Sequence, residues 1–107
     1  MGERAFARMK PSAYFINVGR GASVDEAALA SALRERRIAG AAVDVFAEEP
    51  PPAGHPLYAL DNVILSPHVS GFLPSYDEKC SVLFAENLRR YLDGRPLLNL
   101  VDRGRGY

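Results

Sequence analysis

The chain has 107 residues, enough for one domain or part of one, and at 48% hydrophobic and 24% charged it has the composition of a soluble globular fold. Lys plus Arg and Asp plus Glu number 13 each, so no net charge points to nucleic acid or an anionic membrane surface as a partner. The single cysteine, Cys80, excludes an internal disulfide and suits a reducing cytoplasm, and no apolar run approaches the roughly 20 residues of a membrane span.

Residues 2–10 (GERAFARMK) mix good helix formers with an apolar stripe at Phe6 and Met9, and Pro11 stops them. Tyr14–Val18 is β-branched and aromatic and reads as a buried strand, ended by the loop Gly19-Arg20-Gly21. Asp25 is a good N-cap for a helix whose first turn holds Glu26. Leu29, Ala32 and Leu33 carry its apolar spacing, and Gly40 is the expected stop near Ile38. Ala41–Phe46 reads as a second buried strand. Residues 47–61, with Pro50-Pro51-Pro52, Gly54 and Pro56, are expected as ordered or extended loop without helix. Asn62–Leu65 is a third strand, closed by Pro67. A long amphipathic pattern from Tyr76 to Leu92 predicts the last helix, ended by Gly94 and Pro96. The apolar tail Leu97–Val101 needs a docking surface, and residues 103–107 read as a frayed end.

Strand, helix, strand, loop, strand, helix argues for an α/β fold with a parallel sheet, because parallel neighbours need crossover connections. Three strands are few for a sheet class normally covered on both faces, and Tyr14–Val18 has no upstream strand to pair with. The expectation is a half-domain whose other half lies before Met1.

Three polar residues follow the three strands: Arg20, Glu49 and His68. In an open parallel sheet, residues just past the strands' carboxyl ends meet in one crevice, where ligands bind. Each has a plainer reading. Arg20 could be a surface or helix-end ion pair, Glu49 a solvated acid beside Glu48, and His68 a capped histidine. Their shared placement favours a site. Gly19 and Gly21 permit close approach of backbone to ligand, and the guanidinium fork matches a carboxylate with two parallel hydrogen bonds. Asp44 lies in an apolar strand, where a carboxylate must be well hydrogen-bonded. It is either a ladder-end acid satisfied by backbone N–H groups or an acceptor for a ligand amide. His55 reads as structural and Cys80 as a core residue. Two histidines and one cysteine, scattered, are a poor metal set, and no metal site is expected.

The strings INVGRGASVDEAALASAL, GAAVDVFAEEPPP, HPL and NVILSPHVSG follow one another along most of the chain. In that order they resemble the NAD-binding domain of the D-isomer-specific 2-hydroxyacid dehydrogenases. The closing FAENLRRYLDGRPLLNLVDRGRGY is most similar to the glyoxylate/hydroxypyruvate reductase-like branch and related phosphoglycerate dehydrogenase-like proteins. The resemblance implies the C-terminal part of a Rossmann-like doubly wound sheet, with three parallel strands and helices. It implies NAD or NADP as cofactor and a small 2-oxo or 2-hydroxy acid as substrate. Arg20 then holds the substrate carboxylate, His68 is the general acid/base, and Glu49 is the carboxylate bonded to that histidine. A carboxylate there favours the imidazolium form that protonates a carbonyl oxygen. Asp44 matches the acceptor for the nicotinamide amide. Val18, Gly19 and Arg20, with His68, Ser70 and Gly71, match contacts to the nicotinamide end. A formate dehydrogenase of the same superfamily would carry Gln in place of Glu49.

The resemblance has a large gap. The G-x-G-x-x-G turn that seats a pyrophosphate on a helix N-terminus has no counterpart, nor does the acidic residue some 20 positions beyond it. Residues 1–75 are thus expected to be the C-terminal half of an NAD(P)-binding domain. Residues 76–107 are expected as a helix and tail returning toward a missing substrate domain. The full-length protein is expected to be a cytoplasmic homodimer, and the 107-residue chain alone to be inactive. The alternatives are a non-enzymatic, corepressor-like binding module or a gene fragment without function.

Overall fold

Three short strands, β1 (Tyr14–Asn17), β2 (Gly40–Val43) and β3 (Val63–Leu65), lie parallel in the order β1-β2-β3. The computed structural model describes residues 1–105, so Gly106 and Tyr107, read above as part of a frayed end, lie outside the described residues. Two units divide the chain, Met1–Gly71 and Phe72–Tyr107. Helix α1 (Glu3–Phe6) and helix α2 (Glu26–Arg34) belong with the sheet, and α3 (Tyr76–Leu92) with the second unit.

Register sorts the side chains by face. Phe15, Ala41 and Val63 form one cross-sheet row and Asn17, Val43 and Leu65 another on the same side. This side meets the core, where Phe6, Leu29, Leu33, Ile38 and Leu57 are fully buried. Each such side chain contributes about 1.5–3 kcal/mol relative to exposure. On the opposite face the row Ile16, Ala42, Ile64 holds two residues that are 65% and 73% exposed.

Helix α2 starts as its sequence dictates: the Asp25 carboxylate accepts the Ala28 amide at 3.0 Å. Its end comes sooner than the apolar spacing suggests. Arg36 adopts φ +54°, its N–H donates to Leu33 and that of Arg37 to Ala32, which is a Schellman turn without glycine. Arg36 is held there by a two-point contact with Asp61 at 2.7 and 2.8 Å. Gly40, the expected stop, instead opens β2, where a β-carbon would lie 2.8 Å from the Asn62 carbonyl oxygen.

Other boundaries also shift. The first helix is limited to Glu3–Phe6, and β1 ends at Asn17 because that side chain turns back to bond the following loop. β2 stops at Val43, since β1 and β3 both end beside it and leave residues 44–46 without flanking strands. The proline-rich loop contains a 3-10 turn at Pro56–Ala59, contrary to expectation, started by Pro56 and capped by the His55 ring.

In the second unit α3 has no buried residue, and Cys80, expected in a core, is exposed. The rest of that unit is a tail and not a second layer, so the stripe of α3 has no core to enter within it. The tail is pinned by polar groups. Asn87 donates to the Leu98 carbonyl and accepts its N–H, and Arg90 donates to Pro96.

Candidate active site

All three strands end toward the loops that carry the candidate residues. After β1, Asn17 accepts the Gly19 N–H at 3.2 Å through Oδ1, while Ser23 Oγ donates to the Arg20 carbonyl at 2.6 Å. These bonds set the Gly19-Arg20 turn and leave the Arg20 side chain exposed, with Nη1 on the Gly19 carbonyl. The turn sits directly on the next loop. A β-carbon at Gly21 would lie 1.9 Å from the carbonyl carbon of Phe46 and 2.3 Å from the nitrogen of Ala47.

Glu49 is fixed by the loop it belongs to. Its Oε1 accepts the Phe46 N–H at 2.9 Å, and its Oε2 lies 2.7 Å from His68 Nδ1. A carboxylate only accepts, so Nδ1 carries the hydrogen and Nε2 is left for other partners. The His68 hydrogen bond, then the Phe46 amide, hold the Glu49 carboxyl below the usual glutamate range, against an opposing effect of partial burial.

His68 has φ +54°, a left-handed conformation that a side chain with a β-carbon rarely adopts. Asp44 explains how it is held. The Asp44 carbonyl accepts the His68 N–H at 2.8 Å. Its carboxylate accepts the Ser66 hydroxyl at 2.6 Å and the amides of Val69 and Ser70 at 2.9 and 3.0 Å. The Ser66 hydroxyl above all, then the Ser70 hydroxyl, keep the Asp44 carboxyl well below the ordinary carboxylate range, and the two amides add to this. The backbone N–H groups expected of a ladder-end acid supply two of these bonds and the Ser66 hydroxyl a third, and the loop they fold is the one that presents His68.

One cavity of about 270 Å³ is lined by Arg20, Gly21, Phe46, Ala47, Glu49 and His68. A second, of about 550 Å³, adjoins Asp44, Glu49, Ser66 and His68 and is walled by Pro50, Pro51 and Tyr58. The structure therefore brings Arg20, Glu49 and His68 together. Val18, Gly19, Ser70 and Gly71 line neither of these two cavities; Val18 is 59% exposed beside the Arg20 turn. Sequence reading missed Asn17, Ser66 and the Phe46 amide. An Asn at a strand end, two residues before Gly19, is a signal for a turn closed by its side chain. No local signal marks the other two.

Among the described residues no cluster of three His, Cys, Asp or Glu could hold a metal ion, and no helix is long and apolar enough to cross a membrane.

Residues 1–70 match the model of the D-isomer specific 2-hydroxyacid dehydrogenase NAD binding domain. The chain belongs to this family. It is 45% identical over 103 residues, 96% of its length, to glyoxylate reductase from Aeropyrum pernix. It is 41% identical over 102 residues to glyoxylate/hydroxypyruvate reductase B from Pectobacterium carotovorum. Among solved structures of the family, the D-isomer specific 2-hydroxyacid dehydrogenase of Xanthobacter autotrophicus, in complex with NADPH and MES, superposes on the whole chain with a TM-score of 0.91 at 46% identity, covering 43% of that protein. The NADPH-dependent glyoxylate/hydroxypyruvate reductase of Sinorhizobium meliloti, in complex with NADP and sulfate, gives 0.88 at 30% identity over the whole chain and 35% of its own. The chain spans about a third of the length of its curated relatives, 31% of the Aeropyrum pernix enzyme. The parallel α/β architecture expected from the sequence is that of these family members.

Proposed function

We propose that Met1–Gly71 supplies the substrate and nicotinamide side of an NAD(P)-dependent 2-hydroxyacid dehydrogenase, reducing a small 2-oxo acid such as glyoxylate or hydroxypyruvate. The observation that carries this reading is the 2.7 Å bond between Glu49 and His68 Nδ1, beside the cavity that Arg20 also lines. The Arg20 guanidinium offers its outward donors to the substrate carboxylate and orients the adjacent carbonyl. Glu49 fixes the His68 ring, and its negative charge favours an imidazolium that can donate from Nε2 to the carbonyl oxygen. In the reverse direction the same nitrogen takes the hydroxyl proton. The hydride comes from bound NAD(P)H.

The residues present fit the amide end of that cofactor. The Asp44 carboxylate offers about four acceptor sites and gives three of them to the Ser66 hydroxyl and the amides of Val69 and Ser70, so one is left for a carboxamide N–H. Val18, Gly19, Ser70 and Gly71 are proposed as the backbone around it. A binding module without chemistry has no use for a histidine held in a left-handed conformation against a carboxylate.

The test uses protein expressed from the complete reading frame, assayed with glyoxylate and with hydroxypyruvate. His68→Ala is expected to lower kcat by roughly 10²- to 10⁴-fold, the usual worth of a general acid, with NAD(P)H binding retained. Arg20→Ala is expected to raise KM and lower kcat together. Wild-type rates in both variants would overturn the mechanism.

A further inference from the structure

A buried histidine paired with a half-buried glutamate lies outside the catalytic set. His55 is 9% exposed, packed edge-on between the rings of Phe46 and Tyr58 with centroids 5.4 and 6.0 Å away. Its Nε2 lies 3.1 Å from Glu26 Oε2, and its Nδ1 accepts the Leu57 N–H at 3.4 Å, which places the ring hydrogen on Nε2. The other Glu26 oxygen accepts the Ala47 N–H at 2.7 Å. Glu26 thus reaches 21 residues along the chain, from the first turn of α2 to the loop after β2.

The backbone it grips is the one on which the site is assembled. Consecutive amides diverge there: Phe46 N–H goes to Glu49 and Ala47 N–H to Glu26. Against the same Phe46-Ala47 peptide sits Gly21, close enough that any β-carbon would strike it. A rotation of this peptide would push away the turn that carries Arg20 and would turn the Phe46 backbone, whose own N–H, in the preceding Val45-Phe46 peptide, holds Glu49.

We propose that Glu26 and His55 are positioning residues for the reaction, fixing the Phe46-Ala47 peptide so that Glu49 and Arg20 face one cavity. Neither touches the reacting atoms. Glu26 supplies the acceptor that sets the peptide's orientation, and His55 holds the second Glu26 oxygen so that the carboxylate cannot turn out to solvent. The inference rests on the catalytic reading of Glu49 and Arg20, but its test does not depend on turnover.

Protein from the complete reading frame, labelled with ¹³C at the glutamate carboxyls, gives the Glu49 resonance by its loss in Glu49→Gln. In Glu26→Ala the Glu49 carboxyl is expected to titrate at higher pH than in the parent. In Glu26→Gln, which keeps an oxygen for the Ala47 amide, it is expected to titrate as in the parent. Alongside, kcat/KM should fall roughly 10- to 100-fold in Glu26→Ala, as for other groups that orient a catalytic side chain, and largely recover in Glu26→Gln. A purely structural role would lower the unfolding temperature and leave the Glu49 titration in place. If Glu26→Ala does not fold, His55→Phe keeps the packing against Phe46 and Tyr58, removes the Nε2 donor, and should raise the Glu49 titration in the same direction. An unmoved Glu49 titration in the folded variant overturns the proposal. Should the His68 and Arg20 variants keep full activity while Glu49 still moves, the positioning stands and the catalytic reading falls.

Discussion

Asp44 holds His68 through its backbone carbonyl and the residues around it, Ser66, Val69 and Ser70, through its carboxylate, so the acid's ionisation bears on the histidine's placement. The bonds at the Asp44 carboxylate are to its charged form, which is why its carboxyl lies well below the ordinary value of 3.8. A group whose folded value is depressed adds stability that is present above its ordinary value and is lost as pH falls toward the folded one. Glu49, also held below its ordinary 4.5, acts in the same direction. Urea midpoints of the parent should therefore drop as pH falls from about 5 to about 2. Asp44→Asn should have a lower midpoint at neutral pH and a flatter acid limb, because the amide has nothing to protonate and turns a donor toward a donor. A variant curve parallel to the parent's across that range would show that Asp44 does not hold the 66–70 loop through its charge.

Between elements, Gly21 lies so close to the Phe46-Ala47 peptide that any β-carbon there would overlap it. Backbone cannot swing aside as a side chain can, so Gly21→Ala must separate the loop after β1 from the loop after β2. Overpacking of this kind costs about 1–3 kcal/mol or more, readable in urea unfolding. A variant as stable as the parent would mean that the two loops are not in register at this point. Such contacts separate what the sequence discloses from what it conceals. The strands, the long helices and the placing of Arg20, Glu49 and His68 were legible, because each depends on local periodicity and on residues just past strand ends. The end of α2 was not, since Arg36 takes its left-handed turn with help from Asp61, 25 residues away. Nor were the clamps by Ser66, Glu26 and the Phe46 amide, where one partner is distant or is backbone that every residue possesses. Cys80 was misplaced because an amphipathic stripe reports the wish for a core and not its presence.

For the molecule as a whole, the question is how much of a dinucleotide site these residues hold. The parallel sheet has three strands, and Ile16 and Ile64 stand exposed on one face where sheets of this class are usually covered. The donors that hold a dinucleotide most strongly are those to its pyrophosphate, and no G-x-G-x-x-G turn occurs in the 107 residues. What remains is one carboxylate for an amide and a few backbone groups near Arg20, each net hydrogen bond giving about 0.5–1.5 kcal/mol. A micromolar complex needs about 8 kcal/mol and a millimolar one about 4. Two or three such bonds, less the cost of immobilising the ligand, fall below both. The 107-residue chain by itself should therefore show no saturable change in NADH fluorescence up to roughly 1 mM, with light scattering run in parallel to separate binding from association through the exposed face. Saturation in the micromolar range by a monomer would show that other residues of the chain cradle the phosphates, with the loops after β1 and β2 the first place to look for them.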